Sequence, residues 1–66
     1  MQPPKFMWLE GDGWSTLMRG PHKLADVDAA GRVKILWGNQ SHEYEAHDIA
    51  SGIEYVERWF KEIGVL

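Results

Sequence analysis

Residues 28–49, DAAGRVKILWGNQSHEYEAHDI, decide the fold of this chain. Asp28 opens a turn well, and Gly31 can take the positive φ that closes a three-residue hairpin with a bulge. Between the turns, Val33, Ile35 and Trp37 alternate with Arg32, Lys34 and Leu36, the period of a strand with two distinct faces. Gly38-Asn39 gives a tight reversal, and His42 to Ala46 makes the partner strand, with Tyr44 between Glu43 and Glu45. From Asp48 the period changes from two to about 3.6. Ile49, Ile53, Val56, Trp59, Phe60 and Ile63 then fall on one stripe of a helix.

The helix is placed at about Ser51 to Ile63. Ser51 and Glu54 have the spacing of a capping box, Asp48 is a competing first cap, and Gly52 weakens the opening turn. Glu54 with Arg58 and Glu57 with Lys61 are favourably ordered i,i+4 pairs, and Gly64 is a natural stop.

Toward the start, Met1-Gln2-Pro3-Pro4 reads as a loose lead-in, because paired prolines supply no amide hydrogens. Lys5 to Glu10 holds Phe6, Met7, Trp8 and Leu9, an apolar run of strand length, and Gly11-Asp12-Gly13 reads as a three-residue hairpin link. A second strand runs from Trp14 toward Arg19, where Gly20-Pro21 interrupts or bends it. His22 to Asp28 is an irregular continuation or a short separate strand. The layout is α+β in one domain over residues 1–66: a bent antiparallel meander of four or five strands, residues 5–47, followed by one C-terminal amphipathic helix.

The 66 residues carry ten acidic and seven basic side chains, a net charge of −3. A chain this short buries only about 60 % of its unfolded surface, so every large apolar side chain counts, and 44 % hydrophobic residues with four tryptophans suffice for one core. Cysteine is absent, which excludes thiol catalysis, disulfide staples and cysteine-ligated zinc, and fits a reducing compartment. No apolar run approaches bilayer length and the start lacks the h-region of a secretory signal, so the chain is expected to be intracellular and cytoplasmic, away from membranes. Charge is uneven: residues 1–40 hold five basic and four acidic side chains, +1, whereas residues 41–66 hold two basic and six acidic, −4.

No catalytic signature is present. His22, His42 and His47 lie near no nucleophile elbow, and the chain is not expected to be an enzyme. His42, Glu43, Glu45, His47 and Asp48 form the densest ligand-like group, but His42 and His47 are an odd number of residues apart and would point to opposite faces of a strand, so neither a metal nor a cofactor is assigned. Nucleotide loops are missing, and the acidic centre of Gly11-Asp12-Gly13 would repel phosphate.

The tryptophans are the most informative feature. Trp8 ends the first strand, Trp14 begins the second, and Trp37 ends another before a tight turn, so three indoles are expected to gather at one end of the sheet. Such a group binds a cation through its π-faces or anchors a protein partner; equally, it can be core filler. Trp59 and Phe60, on the helix stripe, belong to the core.

These residues resemble the Tudor group of SH3-like barrels. The likeness covers about residues 5–49 and is carried by Phe6-Met7-Trp8, Glu10-Gly11-Asp12-Gly13, Trp14, the run from Gly31 to Asn39, and His47-Asp48-Ile49. The resemblance implies a small barrel in which Trp8, Trp14 and Trp37 match the aromatic cage for methylated Lys or Arg.

The expected function is non-catalytic recognition of a protein partner through Trp8, Trp14 and Trp37 with Arg19, Arg32 and Lys34 beside them. One alternative is a small acidic inhibitor, of the type mobile elements or phages encode, that masks a basic nucleic-acid-binding surface with Glu43, Glu45, Glu54, Glu57 and Glu62. The other is single-stranded nucleic acid bound on the sheet, where Arg32 and Lys34 would meet phosphate.

Overall fold

A computed structural model describes residues 6–65; the lead-in expected over Met1–Pro4, together with Lys5 and Leu66, lies outside that range. Five strands, β1 (Phe6–Gly11), β2 (Trp14–Arg19), β3 (His22–Asp28), β4 (Arg32–Trp37) and β5 (Gln40–Glu45), form one antiparallel sheet in sequence order, and α1 (Ile49–Glu62) follows. Each strand pairs only with its sequence neighbours, so β1 and β5 are the two edges.

Turn chemistry explains the meander. Gly20 (φ 58°) followed by Pro21, and Gly38 (φ 62°) followed by Asn39, each put positive φ at the first central position of a two-residue hairpin, as type II′ turns require. The expected interruption at Gly20-Pro21 is therefore a clean reversal that makes His22–Asp28 a full strand between β2 and β4. Its irregular look has a cause. Met18 pairs with Lys23 but Leu17 with Ala25, so Leu24 is the extra residue of a bulge, and adjacent Leu24 and Ala25 are both buried.

At the β3–β4 turn, Asp28 Oδ1 accepts from the Ala30 and Arg32 amides at 3.0 and 2.9 Å, while the Gly31 amide donates to the Asp28 carbonyl at 3.0 Å. The Gly31 carbonyl accepts from the Ala46 amide at 2.8 Å, tying this turn to the segment that leads into the helix.

One face of the sheet is covered. Leu17, Ala25, Val27, Val33 and Ile35 meet Val56 and Phe60 of α1, and all are buried. Gly52 lets the helix backbone approach Val27 and Val33 closely. The helix begins earlier than the capping-box reading places it, because Asp48 is the cap: its Oδ1 accepts from the Ser51 amide at 2.8 Å. That bond holds the Asp48 carboxyl below its ordinary value, with lesser help from the Ser51 hydroxyl and the nearby His47. The far end closes with Gly64 (φ 83°) donating to Lys61 and Val65 donating to Phe60, a Schellman arrangement. The expected Glu54–Arg58 and Glu57–Lys61 pairs do not close; among the described residues the ion pair is Lys23–Asp26.

Aromatic rings bind β4 and β5 to the helix. Trp37 meets Phe60 edge-on at 5.6 Å between centroids, His42 tilts against Trp59 at 5.2 Å, and Tyr44 stacks on Tyr55 at 3.9 Å with the planes 2° apart. No helix among the described residues is long and apolar enough to cross a membrane.

Candidate recognition face

The loop between β1 and β2 decides which side chains share a face. Gly11 pairs with Trp14, so the turn is the two residues Asp12-Gly13, not the three expected. Changing the loop by one residue reverses the side on which every β1 side chain falls relative to β2. Trp8 therefore pairs with Leu17 and packs against the core on the helix-bearing side of the sheet, whereas Trp14 points to the uncovered face. Trp37 is also on the covered side, against Phe60. The expected gathering of three indoles is corrected accordingly: Trp14 is separated from Trp8 and Trp37 by the sheet itself. The aromatic cluster that does form consists of Trp37, Phe60, Trp59 and His42.

The cations chosen from the sequence divide in the same way. Arg19 lies over the Phe6 ring, 5.5 Å from its centroid, on the covered side of the β1 edge. Arg32 and Lys34 are exposed on the open face. So are Glu43 and Glu45, while Glu54, Glu57 and Glu62 are exposed on the helix that covers the other face. The five glutamates are thus divided between the open sheet face and the helix.

The strand register lays the open face out in rows. One runs Leu9, Thr16, Asp26, Lys34, Glu43, and the next carries Gly11, Trp14, Asp28, Arg32 and Glu45. Thr16 Oγ1 donates to Asp26 Oδ1 at 2.8 Å, Lys23 pairs with Asp26, and Lys34 stands in register between Asp26 and Glu43. A cleft of about 620 Å³ spans this region from Trp14 to Glu45. Four carboxylates, Asp26, Asp28, Glu43 and Glu45, face two cations, Arg32 and Lys34, across it.

Beside these charges the β1–β2 half of the same face is apolar. Met7 is 57 % exposed, Leu9 44 % and Trp14 45 %. A Cβ at Gly11 would run into the Trp14 indole, so the ring lies across the glycine of the neighbouring strand and is held in place without being covered. Trp14 also lines a second cleft, with Glu10, Ala29 and Asp48, at the turn end of the sheet. Met7 and Leu9 were not singled out from the sequence, where they are part of an apolar run of strand length; their side of the sheet follows only from the two-residue turn.

Among the described residues no three His, Asp or Glu side chains gather closely enough to hold a metal. In the ligand-like run, His42 faces the helix while Glu43 and Glu45 face the cleft. The chain matches no family model, no curated protein and no solved structure.

Proposed function

We propose that this chain is a non-catalytic recognition module that holds a protein partner on the uncovered face of its sheet. The observation that carries this reading is the grouping of Met7, Leu9 and Trp14, all large, apolar and exposed, on the face that no helix covers. Trp14 supplies the anchor: a rigid indole braced on Gly11 loses little freedom when a partner closes over it. The adjoining rows of charge would fix orientation more than affinity.

The methyl-reading cage implied by the Tudor likeness is not carried over, because Trp8 and Trp37 lie on the opposite face of the sheet from Trp14 and cannot enclose an ammonium group with it.

A second reading is favoured by the excess of carboxylates in the cleft: an acidic inhibitor using Asp26, Asp28, Glu43 and Glu45, without the helix glutamates, against a basic partner. Phosphate chains are poorly served here, since Lys34 and Arg32 stand among those same carboxylates.

Photo-crosslinking side chains placed at Leu9 or Thr16, on the open face, and at Glu57, on the outer side of α1, test the reading in lysate of the source cells. One shared partner captured from Leu9 and Thr16 and not from Glu57 is the expected result. Capture from Glu57 alone would refute it. Reversing Glu43 and Glu45 together separates the two readings, because only the acidic inhibitor depends on those charges.

A further inference from the structure

We infer that β1 is a self-pairing edge, joining two copies of this chain antiparallel about Trp8 into one continuous sheet. The inference rests on the strand edge; it leaves Trp14 free on the open face and brings Met7 and Leu9 of the two copies side by side there.

The two edges of the sheet are built differently. β5 presents Glu43 and Glu45, and self-pairing would bring these like charges against each other, a device that keeps such an edge apart. β1 reads Phe-Met-Trp-Leu-Glu-Gly, with one charge and no proline, and among the described residues no strand pairs on its outer side. An edge of that composition is a template for another strand.

The backbone sets the register. A two-residue turn closes on a hydrogen-bonded pair, here Gly11 with Trp14, and alternation along the ladder then turns the Leu9 and Met7 backbone groups toward β2. The N–H and C=O groups of Phe6, Trp8 and Glu10 consequently point outward. The turn at Gly20-Pro21 gives the same result independently, because it commits Arg19 to β3 and leaves Phe6 facing away from β2.

A two-fold axis through Trp8 satisfies all three outward residues at once. Trp8 pairs with Trp8 of the second copy, and Phe6 with Glu10 of the second copy, in both directions, for roughly six main-chain hydrogen bonds. Centring on Leu9 or Met7 instead leaves some of these groups unpaired.

The side chains agree with this register. Met7 falls opposite Leu9 of the second copy on the open face, bringing two exposed apolar side chains together at each end of the junction. On the covered side, Glu10 of the second copy arrives beside Phe6, over which Arg19 already lies, so the one charge of β1 meets an opposite charge. The symmetry closes after two copies, with both helices on one side of a ten-stranded sheet and both open faces on the other.

Sedimentation velocity of the intact chain from about 1 µM to 1 mM tests this, a range that brackets the affinity of a modest edge contact. The expected species at the upper end has twice the 7.6 kDa mass of one chain. Glu10→Pro removes an outward N–H without touching the β1–β2 ladder and is expected to give a monomer with unchanged circular dichroism. Glu10→Arg is expected to weaken the dimer about fivefold, and Glu10→Arg with Arg19→Glu to restore it. Amide exchange on the wild type supplies a reading that needs no variant: protection at Phe6, Trp8 and Glu10 should rise with protein concentration while that of Leu9 stays level. A chain monomeric throughout the range, a dimer that survives Glu10→Pro, or masses that grow past two copies would each overturn the inference.

Discussion

Gly52 of the helix lies directly against Val27 of the sheet: a Cβ at this position would stand 2.5 Å from Val27 Cγ1 and 3.1 Å from Val33 Cγ2. The residue that looks like a weak point in the opening turn is thus where the helix backbone comes tightly against the sheet. Gly52→Ala sets two effects against each other, a gain of about 1 kcal/mol in helix propensity and a loss of about 1–3 kcal/mol from overpacking a closed interface. The contact is with branched side chains in the buried core, which have nowhere to go, so overpacking wins. Urea denaturation should show Gly52→Ala destabilised by roughly 1 kcal/mol and Gly52→Val by considerably more.

Tyr44 and Tyr55 fasten the exposed edge strand β5 to the helix through parallel rings. Every side chain of β5 is exposed, so this stack and the His42–Trp59 contact are its main side-chain attachments to the helix. A double-mutant cycle with Tyr44→Ala and Tyr55→Ala should return a coupling of about 0.5–1.5 kcal/mol in favour of the wild type. Amide exchange in β5 should accelerate in Tyr44→Ala before that in β3 does.

Asp48 makes the start of the helix sensitive to pH. The Ser51 amide lowers its carboxyl below the ordinary 3.8 in the folded chain, so the cap contributes fully above that value. Its contribution is lost as pH falls from 3.8 through the lower folded value. Asp48→Asn keeps a cap and cannot titrate there. The melting temperature of the wild type should exceed that of Asp48→Asn by a margin that is constant above about pH 5 and shrinks steadily toward about pH 2. A margin that widens on acidification would contradict this.

Much of the scaffold was legible in the sequence, and each failure has a local structural cause. The alternation of Val33, Ile35 and Trp37, the turn residues and the helix stripe each report a local period, and α1 and β4 follow from them. His22–Asp28 looked broken because the bulge at Leu24 puts two buried residues side by side, a pattern no period of two contains. The recognition face was lost at Gly11-Asp12-Gly13. A three-residue link would set Trp8 and Trp14 on the same side, whereas the two-residue turn sets them on opposite sides. Gly11 and Gly13 both suit a turn, and only the pairing of Gly11 with Trp14, with its ring over the glycine, settles which belongs to the strand. The choice between Asp48 and Ser51 as cap was likewise open, and the Ser51 amide bond to Asp48 decides it.

The central claim is that Trp14 on the uncovered sheet face is the anchor for a partner. Calorimetric titration of the crosslinked partner, once identified, against wild type, Trp14→Ala and Glu57→Arg tests it most directly. Trp14 is exposed and outside the core, so Trp14→Ala should fold normally and bind at least about 30-fold more weakly, the loss typical of an interface hot spot, while Glu57→Arg on the far side binds as the wild type does. Undiminished binding by folded Trp14→Ala, with binding lost in Glu57→Arg, would contradict the claim and move the recognition surface to the helix.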